Sequence, residues 1–201
     1  MSFQILFLNK KIKGGNILKA TGVVRRIDDL GRIVIPKEIR RTLHIKEGDP
    51  LEIFTDKEGE IILKKYSPIG ELSEFATGYA ETLSKTTGHI ACITDKDTVI
   101  AVSGGSKKEL LEQSISPELE RVLENKEIYT SKENHEIALP ITQNDNKERR
   151  YNSQVIYPII SDGDVIGSVI LLSKEQNTKM GDTELKVVQS AAGFLSSQMD
   201  I

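Results

Sequence analysis

Six basic side chains, Arg25, Arg26, Arg32, Lys37, Arg40 and Arg41, fall within the single run Thr21–Leu43, interleaved with short β-branched segments such as Ile33-Val34-Ile35. The chemistry open to such a set is recognition of a polyanion, not bond-making. A guanidinium offers a planar fork of donors that matches two phosphate oxygens or the O6 and N7 atoms of guanine. The same residues also suit a solvated face paired with Asp28, Asp29 and Glu38, the ordinary use of a charge run. Composition alone leaves both uses open.

Charge distribution separates two halves. Residues 1–66 carry 14 Lys and Arg against 9 Asp and Glu, a net of +5, so of the 27 and 30 in the whole chain the remainder carries 13 and 21, a net of −8. A basic head on an acidic body places the polyanion at the head.

Other reactive residue types are sparse. His44, His89 and His135 lie far apart and show no ligand spacing, so no metal site is expected. Cys92 is the only cysteine; beside Ile90 and Ile93 it reads as a buried, inert thiol, and the absence of a second cysteine fits a reducing cytoplasm. Ser103-Gly-Gly-Ser-Lys-Lys108 reads as a glycine turn with Ser106 as a helix cap. An anion cradle is the alternative there, but the GxxxxGK[ST] spacing is missing. No GxSxG, HExxH or paired cysteine points to catalysis, so neither an enzyme nor a cofactor is expected. No apolar run approaches the roughly 18 residues that span a bilayer, so no membrane partner is expected.

The elements that must position the basic set follow from pattern. Ala20–Ile27 reads as strand, Asp28-Asp29-Leu30-Gly31 as a turn and Arg32–Ile35 as a second strand. Pro36 suits the first position of a short helix through Leu43, with Ile39 and Leu43 on one face and Arg41 pointing away. Leu51–Phe54 and Ile61–Lys65 flank Asp56-Lys-Glu-Gly59 as a hairpin. A unit of under about 50 residues with no disulfide or metal seldom folds alone, so an obligate dimer that completes a shared sheet is expected.

The first 17 residues put a small apolar patch before lysines, the reverse of a secretory signal. Lys13-Gly14-Gly15 is encodable by a purine run of the ribosome-binding kind, and Leu18 stands where a UUG start would be read as leucine. Residues 1–17 are therefore read as untranslated leader, with a basic phosphate-touching arm as the alternative. The remaining boundaries are 18–66 for the basic unit, 67–88 for a linker helix capped by Ser67 and begun by Pro68, and 89–201 for a mixed α/β domain. In that last part His89–Thr94, Thr98–Ser103, Ile137–Ile141, Gln154–Ile160 and Val165–Ser173 read as strands, and Lys107–Gln113 and Pro117–Asn125 as helices. Asn144–Arg150 reads as a polar loop, and Leu185–Met199 as a closing amphipathic helix. Sheet and helices in that order give a three-layer sandwich.

The run Lys19-Ala-Thr-Gly-Val-Val-Arg-Arg-Ile-Asp-Asp-Leu-Gly-Arg-Ile-Val-Ile-Pro-Lys-Glu-Ile-Arg-Arg-Thr-Leu43, with Gly48-Asp-Pro-Leu-Glu-Ile-Phe54 and Ile61-Ile-Leu-Lys-Lys-Tyr66, resembles the AbrB-type transition-state regulators of endospore-forming bacteria. That resemblance implies an all-β swapped-hairpin barrel with one short helix, dimeric and bound to double-stranded DNA. It puts the family's DNA-contacting arginines at Arg25, Arg32, Arg40 and Arg41; Arg26 and Lys37 join them on charge. Tyr157-Pro-Ile-Ile160 and Gly163-Asp-Val-Ile-Gly-Ser-Val-Ile-Leu-Leu172, with the terminal helix, resemble a GAF small-molecule sensing domain. Together the two resemblances imply a cytoplasmic regulator of forespore genes that forms tetramers, with a small molecule of unknown identity at the GAF-like domain. An antitoxin-like DNA-binding autoregulator is the alternative, since the barrel also occurs in toxin–antitoxin pairs; a patterned C-terminal core argues against a neutralising tail. A GAF-type sulfoxide reductase would need redox-active cysteines, for which one thiol is thin support.

Overall fold

A computed structural model of the chain describes residues 5–7 (backbone), 23–55, 57, 59–131, 138–145, 151–176 and 178–199. The chain divides into two compact units, Met1–Tyr66 and Ser67–Ile201.

In the first unit the hairpin of β2 (Leu51–Thr55) and β3 (Ile61–Lys65) pairs antiparallel, Leu51 opposite Lys65 and Thr55 opposite Ile61, within a residue of the expected bounds. The free edge of β3 takes β1 (Ile5–Phe7) in parallel, so strand order is β1-β3-β2. The other leader residues, and Ala20 to Gly22, lie outside the described residues.

The Asp28–Gly31 turn forms as expected: Gly31 donates to Asp28 O at 3.0 Å, Asp28 N–H donates to Arg32 O at 3.0 Å, and Gly31 sits at φ 77°. The flanking segments do not match expectation. Residues 23–28 and 32–36 carry no strand ladder. Val24 and Val34 on them are 85% and 70% exposed, as is Leu30 of the turn at 71%. A strand is stabilised by what packs on its face, and among the described residues little packs on Val24 and Val34.

Pro36 is the one buried residue among the described residues of this unit. It caps α1 (Lys37–Thr42) from just outside, one residue earlier than expected, with φ −56° and ψ 145°. Its carbonyl accepts the first helical bond, from Arg40 N–H at 3.0 Å. Past the helix, Lys65 Nζ donates to His44 O at 3.1 Å and lies 3.3 Å from Asp49 Oδ2, which pins the helix end to the hairpin.

The second unit is a five-stranded antiparallel sheet, ordered β5 (Val99–Ser103), β4 (Ile90–Asp95), β8 (Asp164–Ser173), β7 (Ser153–Ser161), β6 (Tyr129–Thr130). Side chains alternate along β4 and β8, so each strand feeds two cores. Ala91, Ile93, Val169 and Leu171 meet Ala76, Ala80 and Leu83 of α3 (Ser73–Thr87) and Val188, Ala191 and Leu195 of α6 (Asp182–Ser197). Cys92, Ile170 and Leu172 meet Leu110 of α4 (Lys107–Leu110) and Leu119, Val122 and Leu123 of α5 (Pro117–Glu124) on the other side. The expected three layers are present.

Local signals act as chemistry requires. Ser67 and Ser116 each accept a cap bond, from Gly70 N–H at 3.1 Å and Leu119 N–H at 3.0 Å, with proline following. Asp162 and Gly163 take φ 50° and 83°, the paired positive values that an Asp-Gly hairpin turn needs. A Cβ at Gly167 would run into the Thr94 carbonyl on the adjacent strand, so glycine allows β4 and β8 to close there.

Three segments depart from expectation. The linker helix is two helices, α2 (Pro68–Glu71) and α3, broken at Leu72, and the break leaves Ile69 fully buried. The helix expected through Gln113 stops at Leu110. No strand forms in 138–141; Ile137 lies outside the described residues. Side chains satisfy that backbone instead: Asp145 Oδ2 accepts from Ile141 N–H at 2.6 Å and Thr142 N–H at 3.1 Å, and Ser116 donates to Pro140 O at 2.5 Å. Proline itself has no N–H to give a ladder.

No helix among the described residues is long and apolar enough to cross a membrane.

Candidate nucleic-acid interface

The six basic residues all belong to the first unit. Arg25 and Arg26 precede the turn, Arg32 follows it, and Lys37, Arg40 and Arg41 lie on α1; Arg40 is half-buried and the other five are exposed. The two segments that carry them are organised by local bonds, not by a core.

Asp28 organises the first. Its Oδ1 accepts from Leu30 N–H at 3.1 Å and Arg32 N–H at 2.7 Å, while Oδ2 accepts from Arg32 Nε at 2.8 Å. These bonds, led by that from the Arg32 backbone, hold the Asp28 carboxyl below the usual carboxylate range. Sequence reasoning offered Asp28 as a counterion and as part of the Asp28–Gly31 turn. Its second role, shaping the turn, was signalled by aspartate as first residue of a four-residue turn ending in glycine.

The helix organises the second. Arg40 and Arg41 sit in its last turn, where cations favour the carbonyl end of the helix dipole. His44 at φ 51° ends it, with Ile45 N–H donating to Arg40 O at 2.8 Å. Lys65, Asp49 and His44, which fix this end, carried no sequence signal beyond the hairpin that contains Lys65.

The other residues singled out by type lie as follows. Gly104, at φ 74°, lies where a Cβ would strike Ser84 Oγ, and one at Gly105 would press on the Ile90 side chain, so these glycines serve close packing. Ser106 holds the N-cap position of α4 without a side-chain cap bond, contrary to expectation. Cys92 is fully buried, and burial followed by the charge of Asp145 pushes its thiol up to about 12. His89 Nε2 lies 4.0 Å from Glu184 Oε1; His44 is exposed; His135 is outside the described residues. Among the described residues no group of three metal-ligating side chains gathers.

Known proteins share both units. Residues 71–200 match the family model described as stage V sporulation protein T C-terminal, transcription factor, and residues 24–71 that of the antidote-toxin recognition MazE, bacterial antitoxin. The chain is 52% identical over 183 residues to the stage V sporulation protein T of Bacillus subtilis (strain 168), covering 91% of this chain and 99% of that protein. It is 63% identical over 51 residues to the transition state regulatory protein AbrB of the same organism, covering 25% of this chain and 52% of that one. In fold it is similar to the GAF domain of an Acinetobacter phosphoenolpyruvate-protein phosphotransferase, with a TM-score of 0.51 at 15% identity over 64% of this chain and 82% of that one. The GAF domain of Thermosynechococcus elongatus PixJ gives 0.51 at 11% identity over 68% and 89%. With an AbrB-like unit ahead of a GAF-like one, this chain belongs to the stage V sporulation protein T family of transcription factors.

Proposed function

We infer that this chain regulates sporulation transcription in the cytoplasm by binding double-stranded DNA through Arg25, Arg26, Arg32, Lys37, Arg40 and Arg41 of a dimeric first unit. The observation that carries this is the pairing, in one unit, of an exposed basic set with an exposed apolar one. Val24, Leu30, Val34 and Ile53 are 66–85% exposed, and Pro36 alone is buried among the unit's described residues. Burying one such side chain is worth about 1.5–3 kcal/mol, which a second copy supplies. Two-fold symmetry then doubles the arginines to suit the pseudo-symmetric backbone of a duplex.

A second apolar face supports a tetramer. Phe75, Tyr79 and Phe194 form an aromatic trio with ring centroids 5.4–6.3 Å apart, and Phe75 and Phe194 are 40% and 41% exposed. We assign this face to contact between second units. The antitoxin reading loses ground to the second unit's two filled cores, since a toxin-blocking tail is flexible.

A salt titration of duplex binding, with mass followed by light scattering, tests the reading. Four arginine–phosphate contacts per chain give eight per dimer and a log–log slope near about −7. No binding at low salt by a folded oligomer would overturn the DNA-binding reading.

A further inference from the structure

Tyr66 and Ser67 are consecutive residues, yet each is bonded into a different unit. Tyr66 N–H donates to Pro50 O at 3.0 Å, one step beyond the Leu51–Lys65 pair of the β2–β3 ladder. Ser67 Oγ donates to Asp95 Oδ2 at 3.0 Å while accepting the α2 cap bond from Gly70. The junction therefore has no free linker residue. Each intervening residue would add two soft dihedrals able to absorb a displacement, and here there are none to add.

Asp95 is more than an anchor. Its Oδ1 accepts from Asp97 N–H at 2.8 Å, Thr98 N–H at 2.6 Å and Thr98 Oγ1 at 3.3 Å, which shapes the β4–β5 turn. Asp95 also ends the β4–β8 ladder, opposite Gly167. One carboxylate thus ties the end of the central strands to the first residue after the DNA-binding head. With the bond made, Ser67 is held and α2 is capped. With it broken, the hydroxyl is released and the junction gains slack.

We propose that the Ser67–Asp95 bond is the coupling point through which the GAF-like sheet sets the DNA affinity of the first unit. The proposal rests on the DNA-binding reading above. It needs no contact between the units other than the chain itself.

The test uses the full chain and duplex DNA at one fixed salt concentration. Asp95→Asn keeps an Oδ1 acceptor for the turn and removes the charged acceptor of the Ser67 hydroxyl; Ser67→Ala removes the hydroxyl. Both variants should shift DNA affinity in the same direction by about fivefold or more, within the usual range of coupling between sites. The Tyr66 amide should exchange faster in both, while protection along β7 and β8 is kept. A role confined to capping α2 would leave DNA affinity unmoved. Affinity within about twofold of wild type in both variants overturns the coupling and leaves the DNA-binding reading standing. If Asp95→Asn loses β7–β8 protection, Ser67→Ala decides alone. A wild-type chain that binds no DNA fails the reading itself and the coupling with it.

Discussion

Asp28 and Arg32 grip one another twice, backbone N–H to Oδ1 at 2.7 Å and guanidinium Nε to Oδ2 at 2.8 Å. The side-chain bond uses Nε, so the terminal nitrogens of a side chain 69% exposed are not consumed by it. An acidic residue beside an arginine proposed to contact DNA costs attraction but fixes where the guanidinium starts. Asp28→Asn is expected to weaken DNA binding by about three- to tenfold although it removes one negative charge per chain, because orientation is lost. Tighter binding would mark Asp28 as a mere competitor for Arg32. The pH dependence follows from the lowered carboxyl. A depressed native value stabilises the turn above the unfolded value near about 4 and loses that support as pH falls below it. The Leu30 and Arg32 amide resonances should therefore hold steady from neutral pH down to that range, then shift together.

Arg32 and Arg41 lie on different segments, one after the turn and one in the last turn of α1. Each should serve the duplex independently. Arg32→Ala and Arg41→Ala are each expected to abolish tight binding, reduce the steepness of the salt slope by about 2 per dimer, and leave the oligomer's mass unchanged. Affinity equal to wild type would remove that residue from the interface.

Legibility differed between the units for a physical reason. The second unit supplies its own packing partners: the strands read at His89–Thr94 and Val165–Ser173, the helix start at Ser67-Pro68 and the helix from Pro117 all appear within about a residue of where they were read. What was missed there depends on tertiary partners, as with the Leu72 break that buries Ile69 and the Asp145 carboxylate that replaces a ladder at Ile141. In the first unit, alternation at Arg32–Ile35 was visible, but no ladder forms on it among the described residues. At the candidate site, residue type pointed to the arginines as candidates; the bonds Asp28 makes to Arg32 appear only once the turn is built.

The exposed apolar residues of the first unit make a separate test of assembly. Ile53, 66% exposed on β2, and Phe194, 41% exposed on α6, belong to the two faces assigned to self-association. Ile53→Asp should abolish the dimer and DNA binding together while the second unit keeps its melting transition. Phe194→Asp should halve the mass from tetramer to dimer and spare DNA binding. Unchanged mass in either variant, read by light scattering, would clear that face of any role in assembly.

Cys92 supplies a probe of the second unit that is blind to the first. It is fully buried, and burial followed by the Asp145 carboxylate raises its thiol from 9.0 to about 12. Thiol reagents attack the thiolate, so native protein at pH 8 should resist modification, and denatured protein should take up one equivalent. The linkage has a definite sign. The folded state disfavours the thiolate, so stability is complete below the unfolded value and falls as pH rises through the window from 9.0 to about 12. The slope there approaches about 1.4 kcal/mol per pH unit, which urea unfolding at pH 8, 9.5 and 11 would resolve. Cys92→Ala should flatten that dependence and cost about 1 kcal/mol or more for the space left beside Ile170 and Leu172. A Cys92 that reacts freely in the native protein would place it outside the core that it shares with Val102 and Ile156.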